Sequence, residues 1–442
     1  MGIQGLLPFL KKASREANLR DFKGQTAAVD AYCWLHKGAF SCADKLVRGE
    51  PTDGYVIYVM KQINILLNND IKPIMVFDGC HLPSKAVTET KRRENRERNR
   101  KKAKELLREG KIREAKECFQ RCVDVTSEMA ANVINACRAR NVDVIVAPYE
   151  ADAQLAYLNL SGVVQLVITE DSDLILFGSK ILFKMDNNGG GILVEQEKLH
   201  LGMNLPRDKF SFDKFRIMCI LSGCDYLPSL HGIGLTKACK FINVTSNPDI
   251  HNALCKLPMY LKMPQLEVTK EYRDGFVNAL NTFLYQLVFD PISRTLRPLI
   301  DYPDDKGPED FPYAGKFIGH ERALQIALGN VNVQTGEVVG NFDPETYKVW
   351  YTLLLFICFF MSSLYIVFVY YEYINMVFQG NALEIPPPPP PPDRNSAKMS
   401  TRQPCLKSTI SLISLSPHFV SSTHCFSHCV MLIPAVTVYF VE

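Results

Sequence analysis

The stretch from Val164 to Asp173 is an apolar run rich in β-branched residues that ends abruptly in three acids, Glu170, Asp171 and Asp173. A run of this kind reads as a strand buried on both faces, as in a parallel sheet covered by helices. In open α/β sheets, ligands bind beyond the carboxyl ends of such strands. Carboxylates gathered there repel one another unless a cation sits between them. Hard divalent cations, which take oxygen ligands, answer that need.

The same form recurs along the chain. Gln25 to Asp30 and Lys72 to Asp78 are short apolar strands ending in an acid, and Val142 to Ala147 runs through Pro148 and Tyr149 into Glu150 and Asp152. Residues two apart do not share a helix face, so Glu150 and Asp152 converge only by straddling a helix start. The helix dipole favours negative charge at that position. Leu221 to Asp225 sets a further acid in a glycine-containing turn after an apolar helix. One acid at a strand end is an ordinary solvated terminus. Five such endings in one sheet-sized stretch point to a shared site.

The 442 residues have room for two or three domains. The formal charge of +3 says little, because the charge is unevenly placed. Fourteen cysteines, none in a C-x-x-C pair, do not make a disulfide scaffold, and no signal-peptide pattern opens the chain. A reducing compartment, nuclear or cytosolic, fits that usage. No phosphate-cradling G-x-x-x-x-G-K-[ST] loop occurs, which removes the main support for an NTPase.

Residues 82–120 are dominated by lysine and arginine, and Arg92, Arg96, Arg100, Lys104 and Arg108 form an i+4 ladder, hence one basic stripe on a helix. A charge run is most often a solvated face. Here it lies between two acid-tipped strands, which favours phosphate contact; Arg93 and Arg96 are its nearest candidates for DNA. Tyr32 and His36, i and i+4 on the helix after Asp30, either pack in the core or stand beside the acids and stack on nucleotide ends. Residues 124–195 read as a helix through Val133 and Cys137, two strands and a hairpin turning at Met185 to Gly191. Further on, Gly232 and Gly234 open a helix whose free N–H groups, with Lys237 alongside, suit a duplex-backbone phosphate. Residues 1–80 read as helix, strand, helix, strand, and 250–330 as mostly helical.

The tail changes character. Residues 349–371 carry no charge and are long enough to span a bilayer; seven prolines follow at 386–392, then a Ser/Thr-rich end. A membrane span, a buried helix and translated sequence from an unspliced message are the three readings, and the patternless end favours the last. His424, Cys425, His428 and Cys429 are too crowded, without a scaffold, for a zinc site.

Seven acids, Asp30, Asp78, Glu150, Asp152, Asp171, Asp173 and Asp225, exceed what proton transfer between two carboxylates requires. They suit two magnesium ions, with Mn2+ as a substitute, and the basic helix then faces the phosphate from the other side. The chemistry is hydrolysis of a nucleic-acid phosphodiester. A catalytically silent DNA-binding scaffold is the alternative from another class, although a pure binder gains nothing from acids facing phosphate.

These residues, with the N-terminal Met1 to Pro8 and the segments around Asp30, Asp78, Glu150, Asp171 and Asp225, resemble the flap endonuclease (XPG-like) family of structure-specific 5′ nucleases over about residues 1–345. The resemblance implies an α/β class with a mostly parallel central sheet, helices on both faces (the PIN-like 5′ nuclease fold), a helical arch and a helix-two-turn-helix DNA-binding element. It implies an N-terminal nuclease region at 1–99, the rest of the arch at 100–137, an internal nuclease region at 138–230, an overlapping helix-two-turn-helix and helical region at 205–345, and an atypical tail at 346–442. It implies that all seven acids hold two Mg2+ ions and that Lys85 and Arg92 contact the scissile phosphate. Gly2 then lies near the active site, Tyr32 and His36 engage the substrate end, and Ser222, Ser229 and Ile233 hold K+. The implied substrates are DNA with recessed 5′ ends, nicks, gaps or 5′ flaps, processed in the nucleus during mismatch repair and end resection. Mismatch-repair proteins are partners of the family, but the tail that would bind them departs from its pattern.

Overall fold

A computed structural model describes residues 2–346 of the chain, apart from Lys184, Asn187 and Ser246. The uncharged run at 349–371, the proline run and the His/Cys group at 424–429 all lie outside the described residues. Among the described residues no helix is long and apolar enough to cross a membrane.

The core begins from the two-residue period of the strands. Along β2 (Thr26–Asp30), Ala28 packs into one apolar cluster while Ala27 and Val29 pack into another. In β3 (Lys72–Phe77), Val76 joins the first cluster and Met75 and Phe77 the second. Successive side chains of a strand point to opposite faces, so continuous apolar strands need cover on both sides.

Helix α1 (Ala31–Ser41) and helix α2 (Gly54–Asn68) lie on the second face. After β3 the chain enters α3 (Ala86–Arg108) and α4 (Ile112–Cys122), an antiparallel arch whose own small core is Ala103, Leu106, Ala115 and Cys118. Helix α5 (Ser127–Arg138) returns to the sheet, followed by β4 (Asp143–Val146), α6 (Ala151–Leu160), β5 (Leu166–Ile168), β6 (Ile181–Phe183) and β7 (Gly190–Val194). With the polar strand β1 (Ser14–Asn18) at the edge, the order is β1-β7-β6-β5-β2-β3-β4. The five strands from β6 to β4 are parallel; β7 runs against both its neighbours. The chain moves outward from β2 to β4 and then crosses back to β5. The order therefore reverses between β2 and β5, and a ligand crevice is expected there.

The expected α/β class, the mostly parallel sheet, the helices on both faces and the arch are all present. Two readings are corrected. Residues 1–80 begin with a single helical turn, Leu6–Phe9, and contain the extra strand β1, whose polar residues give no apolar signal and which exists through pairing with β7. Residues 250–330 include a hairpin, β8 (Leu287–Asp290) and β9 (Thr295–Pro298), besides their helices. Four-residue strands abutting a helical pattern are too short for periodicity to reveal.

The carboxyl end of the sheet is tightly closed at one glycine. Gly79 N–H donates to Tyr149 O at 2.6 Å, and a Cβ on Gly79 would lie 1.8 Å from Ala147 O and 2.8 Å from Pro148 O. Those contacts are with backbone, which cannot swing aside. Gly79→Ala is expected to cost at least about 1–3 kcal/mol, the scale of overpacking. Thermal unfolding compared with the parent protein checks this, and an unchanged melting temperature would count against it.

Candidate active site

Each acid reaches the crevice because a secondary-structure end delivers it. Asp30 is both the last residue of β2 and the N-cap of α1; its Oδ1 accepts from Cys33 N–H at 3.2 Å. The Cys33 thiol (2.8 Å) and the Thr169 hydroxyl (2.9 Å) both donate to its Oδ2. Asp78 follows β3, and its Oδ1 accepts from Ala151 N–H at 2.8 Å, so it caps α6 from a different strand. Glu150 is the N-cap residue of α6 and Asp152 stands in its first turn, the straddling arrangement expected of this pair. Asp171 follows β5 and accepts from Asp173 N–H at 3.0 Å, which turns the chain so that both face the crevice. Asp225 lies in the turn after α7 (Phe212–Leu221).

The N-terminus closes one side. Ile3 N–H donates to Asp173 Oδ1 at 2.7 Å. Gly2 has a φ of 85°, and a Cβ there would lie 2.3–2.8 Å from Ser172 Oγ, Asp171 Oδ1 and Asp173 Oδ1. Only glycine fits that backbone and that gap.

The electrostatics show how crowded the acids are. Burial, then the charge of Asp171 and Asp225, pushes Asp173 up to about 8. Asp152 is raised well above the carboxylate range by burial and then by Asp171, with Lys85 opposing. Burial likewise raises Asp171. Asp78 is exposed to solvent by surface area, yet desolvation by the protein around its carboxyl raises it to about 6, again against the pull of Lys85.

The arch supplies the compensating charge. Lys85 pairs with Glu150 and lies 3.3 Å from Asp225, and Arg92 donates to both oxygens of Asp225, at 2.9 and 2.7 Å. Burial opposes the charge of Lys85, but Glu150, Asp152, Asp225 and Asp78 outweigh it and hold Lys85 well above its usual value. An ammonium held among carboxylates is a stand-in cation, and every donor around it is a hard oxygen. The residues therefore fit divalent ions. As placed, no three His, Cys, Asp or Glu side chains among the described residues already close around one point. Glu150 and Asp225 are turned instead to Lys85 and Arg92, and Asp30, Asp78, Asp171 and Asp173 to the N–H, O–H and S–H donors named above.

The remaining expected residues are placed as follows. The Tyr32 and His36 rings lie 6.2 Å apart, and burial followed by Asp78 raises the Tyr32 hydroxyl. His36 is exposed, so the core reading fails for it, whereas Tyr32 is half-buried with its edge on Phe77. Arg93 is exposed, and Arg96 pairs with Asp124 at 3.2 Å. Gly234 is the N-cap of α8 (Leu235–Val244), Gly232 has a φ of 75°, and Lys237 is exposed, its Nζ 3.4 Å from Met263 Sδ. A Cβ on Gly223 would lie 3.0 Å from Ser229 N, so the segments of Ser222 and Ser229 run close together. Ser222 donates to Cys219 O, and Ile233 is buried just before α8.

Four residues here are not singled out by the sequence reading. Cys33 and Thr169 orient Asp30, while Tyr226 donates to Glu150 Oε2 and Gln286 Nε2 lies 3.4 Å from the same oxygen. Adjacency to Asp225 was the one available hint for Tyr226.

Two family models match the chain, the XPG N-terminal domain at residues 1–99 and the XPG I-region at 141–225, and between them they contain all seven acids. Exonuclease 1 of Xenopus laevis is 55% identical over 346 residues, 78% of this chain and 47% of that protein. Exonuclease 1 of Danio rerio is 56% identical, covering 78% of this chain and 43% of its own length. The DNA damage-inducible protein DIN7 of Saccharomyces cerevisiae is 36% identical over 69% of this chain and 70% of its own. The chain thus spans less than half the length of the two exonuclease relatives.

Proposed function

The chain belongs to the XPG, flap endonuclease-like family, and on that premise we propose that it is a magnesium-dependent 5′→3′ exonuclease of double-stranded DNA that also cleaves 5′ flaps. The observation that carries this is the cluster of seven carboxylates at the strand ends with Lys85 and Arg92 of the arch set against them. Two divalent ions held by Asp30, Asp78, Glu150, Asp152, Asp171, Asp173 and Asp225 would supply water activation and neutralisation of phosphate charge.

The chain's own residues do the rest. Gly2 and Ile3 shut one wall and keep Asp171 and Asp173 away from bulk water. Lys85 and Arg92 are counter-ions of Glu150 and Asp225 here; the scissile phosphate, with ions at the acids, gives them a new anionic partner at the same spot. Arg92 can then present its two-pronged fork to phosphate oxygens. Tyr32 and His36 stack on the nucleotide end, and the N-terminus of α8 with Gly232, Gly234 and Lys237 holds a backbone phosphate of the duplex. Arg93 and Arg96 extend the basic surface. Ser222, Ser229 and Ile233 are assigned to K+ in the same turn system. The setting is mismatch repair and end resection in the nucleus; mismatch-repair proteins are partners of the family, and the segment of this chain that would bind them, 346–442, departs from the family's pattern.

A duplex with a recessed 5′ end, labelled at either terminus and incubated with the 442-residue protein, tests the reading. Label is expected to leave from the 5′ end, only with Mg2+ or Mn2+, and a 5′-flap substrate should be cut as well. DNA binding without cleavage in Mg2+ would instead identify a silent scaffold.

A further inference from the structure

Glu150 is held by two side chains from outside its own segment. The Tyr226 hydroxyl donates to Oε2, and Gln286 Nε2 lies 3.4 Å from that oxygen and 3.3 Å from Tyr226 Oη. Gln286 is fully buried and Glu150 is 7% exposed. A carboxylate only accepts, so the amide must present its nitrogen to it. The other end of that amide, Gln286 Oε1, has no partner among the described residues. A buried amide with an unpaired acceptor is unfavourable, and an apolar side chain of the same volume would avoid the cost. What its nitrogen does at Glu150 explains its presence.

A second contact points the same way. Gln154, fully buried on α6, donates through Nε2 to Phe289 O at 2.7 Å and accepts from Phe289 N–H at 2.8 Å. This paired amide fastens β8 to the helix whose first turn carries Asp152 and whose cap is Glu150. Gln286 stands where α9 (Lys270–Tyr285) passes into β8, and its own carbonyl accepts from Leu299 N–H at 2.9 Å. Its backbone is therefore pinned on the same brace.

We infer that Gln286, acting with Tyr226, is a positioning residue that fixes the Glu150 carboxylate for the divalent ion it holds, and that the β8–β9 hairpin braces the start of α6. The inference rests on the two-ion reading above. Gln286 lies beyond both matched family regions, so on this inference a segment outside them also serves ion binding.

Mn2+ binding by the 442-residue protein without DNA, measured by titration calorimetry for the parent, Gln286→Met and Tyr226→Phe, tests it. Both variants are expected to bind Mn2+ about 10–100-fold more weakly, and the Mg2+ concentration for half-maximal cleavage should rise in step. KM for DNA at saturating Mg2+ should stay within about twofold of the parent, because the groups removed touch an ion ligand and no nucleotide. Unchanged Mn2+ affinity in folded variants would overturn the inference. If Gln286→Met does not fold, Tyr226→Phe, which removes a single hydroxyl, decides alone. A parent protein that cleaves DNA while the variants bind Mn2+ normally removes only the positioning role. A parent that binds no Mn2+ removes the two-ion reading and this inference together.

Discussion

Asp173→Ala is expected to lower the hydrolysis rate by at least about 10³-fold, the scale of losing a principal electrostatic stabiliser, with DNA affinity little changed. Asp173 does two jobs that the substitution removes together. Its charge stands beside Asp171 and near Asp225, where the acids need a cation, and its Oδ1 ties down Ile3 N–H. Asp173→Asn separates the two, because an amide oxygen still accepts from Ile3 while the charge is gone. Both variants should be inactive, but Asp173→Asn should be the more stable. The sign follows from Asp173 being raised to about 8. Between the unfolded carboxylate value, about 3.9, and the folded one, the unfolded state gives up its proton more readily. Stability present at acid pH is therefore lost as pH rises through about 8, and in EDTA at that pH Asp173→Asn should melt above the parent. Single-turnover cleavage, filter binding and thermal unfolding read the three quantities. Cleavage at the parental rate would take Asp173 out of the site.

The second large effect is expected at the arch. Arg92→Ala should slow the chemical step by about 10²–10³-fold, the effect of removing one preorganised donor, and should raise KM far less. Arg92 is poised rather than free: it is half-exposed, with both its contacts on Asp225 and Thr88 Oγ1 tying the same helix to Asp225 O at 2.7 Å. A donor fixed there meets charge as it develops, which differs from a contact made equally before and during reaction. Arg92→Lys keeps the charge but loses the planar fork, so it should recover only part of the loss. Equal losses in kcat and in affinity would make Arg92 an ordinary phosphate contact.

The sheet was legible because its signals are local. Apolar runs of alternating facing, each closing on an acid, specify buried strands and mark which end of each holds charge. The basic α3 was equally plain, since a 23-residue helix with a charge ladder needs no tertiary contact to be read. The strand β1 was not legible, because its sequence is polar and its pairing with β7 makes it a strand. The hairpin β8–β9 escaped for a related reason: its strands are four residues each and follow directly on a helix.

At the site the division has the same cause. The sequence by itself determined that seven carboxylates would stand at strand and helix ends, and that a basic helix would lie between two of the strands. Only the tertiary structure decided which groups answer which acid. Lys85 meets Glu150 across 65 residues, Arg92 meets Asp225 across 133, and Gln286 approaches Glu150 across 136. Periodicity reports the face a residue turns to within its own element. Partners in different elements are chosen by how the helices and strands pack, and no local pattern carries that choice.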